Sequence, residues 1–194
     1  MNPCGVCYGE KVEEWRWTGL DNPLGRAIAA YDFAGDSAAA LEAMTTVETA
    51  TVMAHEIGEV RAGEQLGEQA WQDMLFNLPR SQAEIMLRAV RDHLADALQT
   101  LPMLLERDNP AALHFFFGNL AAMRKQLAPE LLAAYREWHA SGETAALLTW
   151  AEQGRVRWLQ LGQAALQLYA QQGPAATQAI EQLIRQKLHL DLSV

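Results

Sequence analysis

Apolar residues along this chain recur every three or four positions, which is the spacing of amphipathic helices. Strict alternation of apolar and polar residues is rare, and Ala, Leu and Gln dominate, so no strand is expected. The stretch that organises the rest runs from Asp36 to Gly67. Asp36 or Ser37 caps its start, and Gly67 takes the left-handed conformation that ends it. Projected at 3.6 residues per turn, Leu41, Met44, Glu48, Val52, His55, Glu59, Ala62 and Leu66 fall within roughly 80°. The ends of that stripe are apolar and its middle is acid, imidazole, acid. Ala50, Met53, Ile57 and Val60 form a second apolar face, so this helix is expected to be covered on both flanks.

The same periodicity and stop signals divide the remaining chain. A first helix is predicted from Pro23 to Phe33, capped by Asp21 or Asn22 and stopped by Gly35. Glu68 to Leu78 makes a short helix before Pro79. Ser81-Gln-Ala-Glu84 is a capping box that opens a helix to about Glu106, which Pro102 is expected to bend or end early. His93 and Asp96 flank the apolar face of that helix, a position where such a pair is ordinarily solvated. Asn109-Pro110 restarts a helix through Leu127, with His114 on its small-residue side. Pro129 to His139, Glu143 to Gln172 and a last helix after Gly173-Pro174 complete the pattern. Gly154 is better explained by close helix packing than by a hinge. The fold class expected is all-α: a single-domain antiparallel bundle of about eight helices around the long one. Residues 1–20 form an irregular N-terminal segment, and 21–194 form the helical domain.

Composition narrows the function classes. With 15 Lys and Arg against 24 Asp and Glu, the formal charge of −9 argues against a nucleic-acid-binding face. No run of 18 apolar residues exists, so no membrane partner is expected. The N-terminus has neither the basic start nor the apolar core of a secretory signal, which makes a reducing cytoplasm the expected location. There, Cys4 and Cys7 serve as thiols or metal ligands rather than as a structural bridge. Their CxxC spacing is half of a zinc or iron–sulfur site, and no second CxxC follows.

The polar middle of the long helix is the other candidate for chemistry. A carboxylate on a buried stripe must be paired, protonated or metal-bound, because an unpaired charge out of water costs several kcal/mol. His55 and Glu59, four apart, reach one ion or each other. Glu48 lies two turns from His55, about 10.5 Å along the axis, which suits a two-metal site or an outer hydrogen bond. His93 and His114 are the leading candidates to complete such a site from neighbouring helices.

Ala54-His55-Glu56-Ile57-Gly58 is similar to the start of the zinc-binding helix of zincin-type metallopeptidases, where two His bind zinc and the Glu is general base. Glu59 stands where the second His belongs. In architecture the chain also resembles carboxylate-bridged di-iron bundles of the ferritin-like kind, without their Glu-x-x-His spacing. Oxygen ligands with imidazole suit iron, manganese or zinc as the cofactor.

Three functions stay open at this level. One is a non-enzymatic interaction or accessory protein, with a homodimer or another protein as partner and the polar stripe fixing helix register. Another is a metal-binding bundle, enzymatic if a coordination position is open. The third is a thiol redox or metal-carrier role for Cys4 and Cys7.

Overall fold

The computed structural model describes residues 21–190. Among them no strand occurs, and the all-helical expectation holds. The helices are α1 (Pro23–Ala29), α2 (Ser37–Leu66), α3 (Glu68–Asn77), α4 (Gln82–Ala95), α5 (Leu101–Glu106), α6 (Pro110–Gly118), α7 (Ala122–Leu127), α8 (Pro129–Ser141), α9 (Ala145–Gln172) and α10 (Thr177–Lys187). A π turn, Asp96–Thr100, joins α4 to α5, and a 3-10 turn, Gly173–Ala176, joins α9 to α10. No helix among the described residues is long and apolar enough to cross a membrane.

The chain gathers into two compact units. Of the described residues, the first holds 21–54 together with Met103–Leu120. Asn22 caps α1, its Oδ1 accepting from the Gly25 amide at 2.8 Å. Asp36 caps α2, accepting from the amides of Ala38 and Ala39 at 3.1 and 3.0 Å. These side chains satisfy amides that a helix start leaves without partners. α1 packs on α6, and Gly118 makes the approach possible. A Cβ there would lie 2.9 Å from the Leu24 backbone nitrogen. Ala27, Ile28, Met44 and Phe115 form the core, with Tyr31, Phe33 and Leu41 packed against it. Side chains of that size stabilise by about 1.5–3 kcal/mol each on full burial.

The helix expected to run from Asn109 to Leu127 is broken instead after Gly118. Asn119 closes it with φ −96° and ψ 0°, and its Nδ2 donates to the Phe115 carbonyl at 2.9 Å. A side chain that bonds its own backbone competes with helix propagation.

The second unit comprises His55–Pro102 and the chain from Ala121 onward. Ser81 caps α4 as the sequence predicts, accepting from the Glu84 amide at 3.3 Å. α9 packs against α4, α8 and α10, and Trp71, Met74, Leu87, Leu94 and Trp158 are wholly buried. Gly154 is a close-packing residue: a Cβ there would meet the Ala97 Cβ at 3.0 Å. Gly58 is tighter still, since a Cβ on it would lie 2.5 Å from the Ala95 carbonyl oxygen. The bare α-carbon of Gly58 therefore lets this part of α2 lie directly on the backbone of α4.

Ahead of Pro102 the chain passes through the π turn before α5. The Leu101 amide donates to the Asp96 carbonyl, five residues back. The Ala97 carbonyl, whose α-helical partner that amide would be, accepts instead from Arg155 Nε at 3.1 Å.

Two expectations are corrected. Met53, Ile57 and Val60 are 59%, 44% and 62% exposed, so the second face of α2 is not covered among the described residues. His93 and Asp96 are fully buried rather than solvated.

Candidate metal centre

Four acidic or imidazole side chains meet in the second unit where α2 crosses α4. His55 and Glu59 stand one turn apart on α2, with His55 Nε2 3.7 Å from Glu59 Oε1. Asp92 is in the last turn of α4, and Asp96 opens the π turn. The Gly58 approach holds these elements together, because it lies between His55 and Glu59 and touches the residue before Asp96.

One ligand atom each from His55, Glu59 and Asp92 lies within 4.8 Å of the others. Donors sharing an ion at 2.0–2.2 Å are separated by roughly 3–4 Å, so side-chain adjustments of under about 1 Å close the set. All three are half-buried, with His55 and Glu59 at 25% and 33% exposure. A bound ion there would be reachable by water.

Asp96 governs the imidazole. His55 Nδ1 donates to Asp96 Oδ1 at 3.1 Å, which leaves the Nε2 lone pair facing Glu59. Carboxylate–imidazole–metal relays of this form fix the tautomer and raise ligand basicity. The hydrogen bond from Asp96 accordingly pushes the His55 pKa above its ordinary value. Burial by itself would push the Asp96 carboxyl up, but the Arg124 guanidinium and the His55 bond outweigh it and hold the group below the usual range. Arg124, on α7, pairs through Nη2 with Asp96 Oδ2. Its Nε lies 4.0 Å from Asp92 Oδ2. Burial pushes the Asp92 carboxyl up, with Arg124 and His55 opposing.

His93 is near this cluster in sequence but turned elsewhere. Its Nε2 donates to the Arg124 carbonyl at 3.0 Å, and its ring stacks on Trp158 with centroids 4.6 Å apart. Burial drives its pKa down to about 4, so it is neutral. Its part is to anchor α7, and with it Arg124.

Glu48 lies in the first unit. It is wholly buried, and among the described residues neither oxygen is within hydrogen-bond geometry of a partner. Burial pushes its pKa up to about 8, with Thr51 opposing slightly. The Tyr31 hydroxyl beside it is buried and partnerless too, pushed up to about 12 by burial and then by the Glu48 charge. His114 is half-buried on α6 of that unit. Glu56, the general base that the zincin resemblance implies, is exposed and outside the cluster. Cys4 and Cys7 lie outside the described residues.

Sequence reasoning missed Asp92 and Arg124. The first had a signal: Asp92 and Asp96 repeat on α4 the four-residue step of His55 and Glu59 on α2. Arg124 had none, since only the packing of α7 brings it to Asp96.

No curated protein and no solved structure matches the chain. Residues 9–187 match the C-terminal domain of the family of unknown function DUF6866, and the chain belongs to that family.

Proposed function

We propose that this domain is a helical module that holds one divalent transition-metal ion, zinc, iron or manganese, on His55, Glu59 and Asp92. The observation that carries this is the direction of the His55 ring: Nδ1 is committed to a buried, ionised Asp96, and Nε2 lies 3.7 Å from Glu59 Oε1 in a group that Asp92 completes. Two oxygens and one imidazole nitrogen suit all three metals. Three protein ligands leave positions for water or an oxygen-donor substrate, where the ion would act as a Lewis acid.

A second role is favoured by the exposed Ile57 and Val60. Three positions apart in the second unit, they make an exposed apolar patch of the kind that docks a protein partner or a second copy. The metal would then stiffen an accessory or interaction module rather than serve catalysis.

Metal content of protein purified without added metal separates these from a thiol-based role. Wild type and Cys4→Ser/Cys7→Ser are expected to carry metal, His55→Ala and Asp92→Asn to lack it. Asp96→Asn should retain the fold and bind metal 10–100-fold more weakly. Metal lost only with the cysteines would transfer the site to the N-terminal segment. Metal absent from every sample would leave the interaction role alone.

A further inference from the structure

A groove of about 610 Å³ lies in the second unit, away from the metal ligands, between one face of α9 and the end of α10. Val156, Gln160 and Ala164 follow at four-residue steps along its floor, and Leu161 and Leu188 continue the apolar wall. Val156 is 57% exposed in it. The volume is that of a small-molecule site, and mostly apolar walls with a few polar groups are the usual lining of one.

Charge decides what class of molecule fits. Lys187 and Arg157 both line the groove, against a single carboxylate, Glu152. Lys187 forms no ion pair among the described residues, while Arg157 is held by Glu130 and lies 5.0 Å from the centroid of the Trp158 ring. One cation is thus fixed beside the apolar wall and another is at liberty to meet a ligand. The chain as a whole, at −9, repels anions at long range. With Arg157 matched by Glu130, Lys187 is the cation that the groove offers beside the exposed Val156.

We infer that the groove binds an amphipathic carboxylate, its hydrocarbon along Val156, Leu161 and Leu188 and its head group on Lys187. A neutral apolar molecule would leave the lysine unused, and a cationic one would be repelled by it.

Titration calorimetry on the full chain, with dodecanoate as probe and dodecanol and dodecylamine as comparators, tests this. Dodecanoate should bind at least tenfold more tightly than the amine or the alcohol, and more weakly as salt is raised. Val156→Asp, at an exposed position where folding is unaffected, should weaken it at least tenfold. Lys187→Gln should weaken it several-fold and Lys187→Arg restore it, while His55→Ala leaves it unchanged. Equal binding of carboxylate and amine, or no response to Val156→Asp, would overturn the assignment. So would a groove that takes no probe but whose variants turn a dimer into a monomer in sedimentation, since a second copy would then be its occupant.

Discussion

Glu48 shows most directly what a single side chain does to this molecule. Its carboxyl titrates near 4.5 when unfolded and at about 8 when folded. A folded pKa above the unfolded one means stability is greatest below pH 4.5 and declines as pH rises to about 8. Over that interval the loss is at most roughly 5 kcal/mol, at about 1.4 kcal/mol per unit. Glu48→Leu should therefore raise the thermal midpoint at pH 8, change it little at pH 4, and flatten the pH dependence between. Equal shifts at both pH values would show that the group is not held neutral. Sequence placed Glu48 on the buried stripe correctly, whereas Val52 on the same stripe is 47% exposed. Periodicity along one helix says nothing of what faces each turn, so it could not show that Asp92 gathers with His55 and Glu59. His55 and Glu59 were legible for the opposite reason, since a four-residue step is local.

At the scale of elements, contacts between α2 and α4 depend on a glycine whose role no local pattern disclosed. Gly58→Ala puts a Cβ 2.5 Å from the Ala95 carbonyl oxygen. Backbone cannot step aside as a side-chain tip does, so a cost of about 1–3 kcal/mol is expected. Because the same contact brings His55 to Asp96, metal affinity should fall along with stability. Chemical denaturation and metal competition on this one variant read both effects; an alanine tolerated at wild-type stability would mean the helices stand further apart. Helix starts at Asn22, Asp36 and Ser81 were readable in the sequence, as caps are chemically explicit. The π turn was not, since the Ala97 carbonyl it leaves open is bound by Arg155, from a helix distant in sequence.

For the whole molecule, a metal that binds only the folded form stabilises it by about 2.7 kcal/mol at a concentration of 100 Kd. The added protection should be local. Zinc is expected to slow hydrogen exchange around His55–Glu59 and Asp92–Asp96 and to leave α1 and α6 unaffected, with no change anywhere in His55→Ala. Slowing confined to α1 and α6 would put the ion elsewhere. All-helical class was legible because a 3.6-residue period runs through the chain, whereas the division into two units depends on contacts between residues far apart in sequence. That division has a bearing on synthesis. The core of the first unit packs Phe115 with Ala27, Ile28 and Met44, so those residues leave the ribosome some 70 to 90 positions ahead of their partner. At 5–20 residues per second the wait is roughly 4–18 s. Throughout it an oily surface stands open, and a chaperone that guards nascent chains has its clearest point of contact there.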